Sequence, residues 1–202
     1  MAENGSRVIP ANEYRRVRWK NCLGWTREIV RVQARPDGES AEEDWDLRLS
    51  IAELERNAPF SLYPGMDREL VLLQGEGLRL RFTDGEVRDL AKPHARTRFA
   101  GERALDGELL GGPTRDFNLM WRRDALDAEL HLRPLIGPTL FFTGTGIAWA
   151  IHMLSGSARF DAASGLPGLE AGDTAMLIDH GTSRRYLLEG AGELLAIRLV
   201  QR

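Results

Sequence analysis

Cysteine is nearly absent. Cys22 is the only one in 202 residues, so no intramolecular disulfide can staple the chain, which suits a reducing compartment. Lysine is almost as scarce: of 27 basic residues only Lys20 and Lys92 are not arginine. The formal net charge of -3 and a pI near 5.9 supply no large positive field, which argues against a nucleic-acid partner. No run approaches the roughly 20 apolar residues of a membrane-spanning helix, and the opening MAENGSRVIP shows neither a basic leader nor an apolar stretch. The expectation is a cytoplasmic protein with no membrane partner. Helical patterning is missing too, since only Ile51 to Arg56 reads as helix-like and it is short.

What is present points to strands. Hydrophobic residues at 43% and charged residues at 28% are ordinary globular values, and 21 glycines with 9 prolines suit many tight turns. Tyr14 to Trp19 and Arg27 to Gln33 interleave charged with β-branched residues, and Trp45, Leu47, Leu49 and Ile51 alternate with Asp46, Arg48 and Ser50. Arg68 to Leu73 closes on Gln-Gly-Glu-Gly, after which Leu78, Leu80 and Phe82 alternate with Arg79 and Arg81 up to the hairpin signal Thr83-Asp84-Gly85. The second half repeats the style through 129–135, 139–145, 147–155, 169–178 and 193–200, with turns expected at Gly137-Pro138, Gly165, Pro167-Gly168, 181–183 and 190–192. Strands at this spacing predict an all-β sandwich or barrel. The segments VLLQGEGLRLRFTDGE and MLSGSARFDAASG are weakly alike, which suggests two related antiparallel barrel or jelly-roll halves, about 8–125 and 126–200, in one body spanning 1–202.

The stretch Trp19-Lys20-Asn21-Cys22-Leu23-Gly24-Trp25-Thr26-Arg27-Glu28-Ile29 resembles the HutD/Ves pattern WKNGGGxTxEI, with Cys22 and Leu23 where the pattern has its first two glycines. The blocks 45–52, 57–61, 63–68 and 110–120 resemble that family's further motifs in the same order. The resemblance covers about residues 8 to 195. It implies a double-cupin (bicupin) fold of the RmlC-like type and an association with histidine utilisation. The role proposed for such proteins is binding a pathway intermediate such as formylglutamate or urocanate, as an auxiliary or regulatory factor.

The candidate site follows from these motifs. Lys20, Asn21, Thr26 and Glu28, then Ser50 and Arg68, then Thr114, Arg115, Asp116 and Asn118 supply cations, amides, hydroxyls and carboxylates, a set suited to a small polar or anionic metabolite. Arg68 and Arg115 are the better specificity elements, because a guanidinium grips a carboxylate with two hydrogen bonds where Lys20 offers a point charge. On the alternative reading the same charges form structural ion pairs, and Asn21 and Asn118 close turns. His94, His131, His152 and His180 stand singly rather than in the clustered pattern a metal-dependent cupin needs, so no metal and no cofactor are expected. Cys22 reads as a small structural residue, and the five tryptophans as core or pocket wall. Two other function classes stay open. One is a metal-independent isomerase, hydrolase or lyase with Glu28 or Asp116 as general base and Lys20 or Arg68 stabilising charge. The other is an interaction protein that forms a homodimer through exposed β edges.

Overall fold

A computed structural model describes residues 5–19, 21–32, 45–178, 181 and 183–202. In chain order the strands are β1 (Arg7–Ile9), β2 (Arg15–Arg18), β3 (Gly24–Val32), β4 (Leu47–Leu54), β5 (Ala58–Pro59) and β6 (Met66–Gln74). They continue with β7 (Leu78–Phe82), β8 (Val87–Leu90), β9 (Arg96–Ala100), β10 (Leu105–Leu109) and β11 (Thr114–Arg122). The last five are β12 (Leu126–Thr143), β13 (Ile147–Phe160), β14 (Leu169–Glu170), β15 (Thr174–Leu177) and β16 (Arg184–Gln201). Among the described residues the only helical turns are two short 3-10 pieces, Ala11–Glu13 and Ala162–Ser164, and no helix is long and apolar enough to cross a membrane. The fold is all-β and every named strand pairing is antiparallel.

The chain divides into two units, residues 15–125 and residues 126–202 with the segment before Arg15. The first unit holds a six-stranded sheet in the order β2-β3-β4-β11-β6-β9 and a four-stranded sheet in the order β5-β10-β7-β8. Its core joins Ala52, Leu54, Leu70 and Leu72 of the larger sheet to Leu78, Leu80, Phe82 and Leu105 of the smaller. Each such large side chain contributes about 1.5–3 kcal/mol by burial. The helix-like reading of 51–56 is corrected here: Ile51 to Leu54 finish β4, paired on one side with Phe117 to Thr114 of β11 and on the other with β3. The misreading has a physical source. The sheet is buried on both faces at this point, so its apolar run loses the period-two alternation.

The second unit holds a sheet in the order β1-β15-β13-β16-β12, with β14 paired to β13. The N-terminal strand β1 joins it by pairing Arg7 to Ile9 with Met176 to Thr174. Two turns expected from the sequence are not turns. Gly137-Pro138 lies inside β12 and Gly190–Gly192 inside β16, and these two strands pair without interruption from Leu126↔Gln201 to Thr143↔Arg184. The glycines of β16 and β13 serve a close approach of these two strands, while Gly137 in β12 has open space around it. A Cβ on Gly190 would strike the carbonyl of Ser157, one on Gly192 that of Ser155 and one on Gly156 that of Ala191. The same place switches which side of β12 is buried, from Leu126, Ala128 and Leu130 to Leu135, Phe141 and Thr143. The two segments that look alike in sequence also differ, since 71–86 is strand, turn and strand while Met153 to Phe160 is one strand through Gly156.

Candidate functional site

The inner face of the six-stranded sheet bears, beyond the apolar core, a cleft of about 580 Å³. Strand register lays its floor out in rows. One row runs Arg31, Arg48, Met120, Arg68, Phe99 across β3, β4, β11, β6 and β9. The next runs Arg15, Glu28, Ser50, Asn118, Leu70, and a third runs Val17, Thr26, Ala52, Asp116, Leu72. A bulge in β3 between Glu28 and Val30 keeps the polar rows aligned past Ile29. Tyr63, Phe60 and Ser61, from the segment after β5, wall the cleft beside Arg68, and Trp19 and Trp45 close other sides.

Arg68 dominates the electrostatics. It is 4% exposed, and no carboxylate forms an ion pair with it among the described residues. Its guanidinium lies 5.2, 5.5 and 5.3 Å from the ring centres of Phe60, Tyr63 and Phe99, donates from Nη1 to the Ser61 carbonyl at 3.3 Å, and leaves Nε without a partner. Burial pushes its pKa down to about 10, with Tyr63 opposing and the nearby Arg48 cation adding to the shift, so it stays charged at neutral pH. Aromatic faces compensate part of the desolvation, and an anion would compensate the rest.

The other expected site residues fall into three groups. Asn21, Thr26, Glu28, Ser50 and Asn118 line the cleft together with Arg68. Glu28 Oε2 accepts hydrogen bonds from Arg31 at 2.6 Å and Arg48 at 3.0 Å, Thr26 Oγ1 accepts from Trp19 Nε1 at 2.8 Å, and Asn21 Oδ1 closes a turn by accepting from the Leu23 amide at 3.0 Å. Asn118 is 7% exposed and its Oδ1 has no partner, not even Ser50 directly across the strand pair. Thr114 and Asp116 share the face but not the lining. They sit further along β11, opposite Leu54 and Ala52 and towards the apolar core. Thr114 Oγ1 donates to Asp116 Oδ2 at 3.0 Å, Asp116 Oδ1 is unpartnered, and burial pushes this carboxyl up to about 7 against the pull of that hydrogen bond. Arg115 points to the opposite face, 3.5 Å from Glu53, which also pairs with Arg16 and Arg27. Lys20 and His180 lie outside the described residues.

Sequence reasoning missed Arg48, Arg15 and the wall residues Phe60 and Tyr63. Arg48 was within reach, because it shares the parity of Ser50 in β4. Among the described residues the lining carries five arginines, Arg15, Arg18, Arg31, Arg48 and Arg68, against the single carboxylate of Glu28. Cys22 is exposed and adopts a left-handed φ of 59°, and neither it nor Leu23 is part of the lining. Gly24 is needed as glycine, since a Cβ there would lie 2.5 Å from the Glu53 carbonyl and 3.0 Å from the Trp19 ring. His152, in the other unit, is buried, with Nδ1 2.9 Å from Thr174 Oγ1. His94 and His131 stand apart from it in other strands and loops. Among the described residues no three His, Cys, Asp or Glu side chains cluster as a metal-ligand set.

The chain has a cupin-type fold, shared with its neighbours among solved structures. The chain belongs to the HutD family, whose model matches residues 11–196. It is 36% identical over 124 residues to a protein in the hutC 3' region of Pseudomonas putida, a match covering 61% of this chain and 62% of that one. It is 34% identical over 140 residues to protein Ves of Cronobacter sakazakii, covering 69% of this chain and 71% of that one. The structure of HutD from Pseudomonas fluorescens SBW25, from a formate condition, aligns with a TM-score of 0.80 at 27% identity over 98% of this chain and 100% of that one.

Proposed function

We propose that residues 15–125 bind a small carboxylate-bearing metabolite and that the chain is a binding protein acting beside amino-acid catabolism. The observation that carries this is Arg68: a buried, aromatic-walled guanidinium in an open cleft, with no acidic partner among the described residues. Such a cation is costly to maintain unless an anion completes it. The excess of arginine around the cleft would draw anions towards it. The P. putida relative's place beside hutC supports an intermediate of histidine breakdown such as formylglutamate or urocanate as the ligand. The enzyme alternative has less support, because Glu28 spends its carboxylate on Arg31 and Arg48 and Asp116 does not line the cleft.

Thermal unfolding against formate, formylglutamate and urocanate tests the reading, with Arg68→Met run alongside. A ligand at a hundred times its Kd stabilises the native state by about 2.7 kcal/mol, which is roughly 5–10 °C for a chain of this size. Arg68→Met is expected to fold, since methionine fills an apolar-walled site, and to lose at least 100-fold in affinity. If no carboxylate shifts the parent, or the variant responds as the parent does, the proposal fails.

A further inference from the structure

We infer that the cleft selects acids carrying an N–H or O–H on the carbon that bears the carboxylate, and that Asn118 is the residue that makes this selection. The inference rests on the anion-binding reading of Arg68 and adds a second requirement. Among the described residues, two lining side chains more than nine-tenths buried each carry an unsatisfied atom, and the two atoms are chemically opposite. Arg68 Nε is a donor without an acceptor, and Asn118 Oδ1 is an acceptor without a donor. A buried polar atom left unpaired costs about 1–3 kcal/mol, so a ligand that completes only the arginine leaves one such cost in place.

Register makes the two residues neighbours. Asn118 pairs with Leu70 and Met120 pairs with Arg68, so Asn118 and Arg68 are diagonal neighbours on one face of adjacent strands. Diagonal neighbours are about 7–8 Å apart between their backbones. One small acid can therefore lie against both side chains. No described residue meets the asparagine: Ser50 stands directly opposite on β4 without donating to it, and Glu28, next in the same row, is an acceptor already held by two arginines. A hydroxy acid, an amino acid or an N-acylamino acid meets both needs. A plain or unsaturated acid meets only the first.

Titration calorimetry with matched pairs of probes tests this. N-acetylglycine and 4-oxopentanoate differ only in N–H against CH₂, and lactate and isobutyrate only in O–H against CH₃. In the parent the N–H and O–H members are expected to bind about tenfold tighter than their partners, as one completed buried hydrogen bond allows. In Asn118→Leu the two members of each pair converge on the weaker affinity. Equal binding of both members by the parent overturns the inference and leaves the anion-binding reading standing. Binding of neither member of either pair overturns both. The parent comparison decides even where Asn118→Leu does not fold, and Asn118→Ser, which keeps a short hydrogen-bonding group, then supplies the variant arm with partial loss of selectivity.

Discussion

The inner faces of the two units are furnished in opposite ways. In the unit of residues 126–202 the inner face is filled by Leu135, Phe141, Ile151, Met153, Tyr186, Leu188 and Leu194. The polar groups buried behind it form a satisfied chain, in which His152 meets Thr174 at 2.9 Å, Thr174 meets the Tyr14 hydroxyl at 2.7 Å and that hydroxyl donates to the Gly172 carbonyl at 2.6 Å; the unpartnered buried atom of this unit, Asp161 Oδ1, lies outside that chain. In the unit of residues 15–125 the corresponding face presents Arg68, Asn118 and Asp116, each with a buried atom that no described residue completes. One antiparallel architecture thus serves as packing in one place and as a receptacle in the other. The difference lies in which side chains occupy the inward positions of the strands.

Titration should separate the two faces, and Asp116 offers the largest effect. Its folded pKa, raised to about 7 from an ordinary 3.8, means that the fold binds the proton more tightly than the unfolded chain does. Its contribution is fully present below about pH 4 and is lost as pH rises through 7. A displacement of that size is worth about 2 to 4 kcal/mol. Relative to the parent, Asp116→Asn should therefore gain that much stability between pH 4 and pH 8 in denaturant unfolding, on top of whatever constant offset the amide brings. A variant that follows the parent at every pH would show that Asp116 is ionised in the fold and would remove it from the comparison.

His152 should give the opposite sign and a slightly smaller effect. Burial pushes it down to about 4 from 6.5, with Asp173 opposing, so its contribution is present above pH 6.5 and is lost as pH falls through 4. His152→Gln should lose the acid-side fall, about 2 to 3 kcal/mol between pH 7 and pH 4. The two slopes oppose each other between pH 4 and 6.5, so the parent's own profile is flattened there and the single variants expose what it hides. If both variants shift the profile in the same direction, the contrast between a self-satisfied face and an unsatisfied one is wrong.

Much of this contrast was legible from sequence. The period of two in β4 and β11 puts Arg48, Ser50, Asp116 and Asn118 on one face and Arg115 on the other, so the alternation alone sorts Asn118 from Arg115. What it leaves open is depth along the strand. Thr114, Asp116 and Asn118 read identically in sequence, yet only Asn118 reaches the cleft, because Ala52, Leu54 and Leu72 seal the positions beside the other two. The isolation of Arg68 was not legible either, since the neighbouring Asp67 invites an ion pair. Asp67 points the other way and pairs with Arg98 at 2.6 Å and Arg123 at 3.2 Å. In β16 the glycines misled, because a glycine that admits a neighbouring strand and a glycine that turns the chain look alike in one dimension.

The smallest expected effect concerns the turns. Among the described residues every positive φ in the unit of residues 126–202 falls on a glycine, whereas the unit of residues 15–125 has two on other residues, Cys22 at 59° and His94 at 59°. Cys22 stands where the family pattern has glycine, and it keeps the backbone conformation glycine would prefer. A left-handed residue with a Cβ costs about 1–2 kcal/mol, and the extra freedom of glycine in the unfolded chain returns about 0.5–1 kcal/mol of that. Cys22→Gly should therefore stabilise the protein by about 0.5 kcal/mol in equilibrium unfolding, with carboxylate affinity unchanged because the side chain does not line the cleft. A stabilised variant with altered affinity would mean that the 19–24 loop, not the sheet alone, sets the shape of the receptacle.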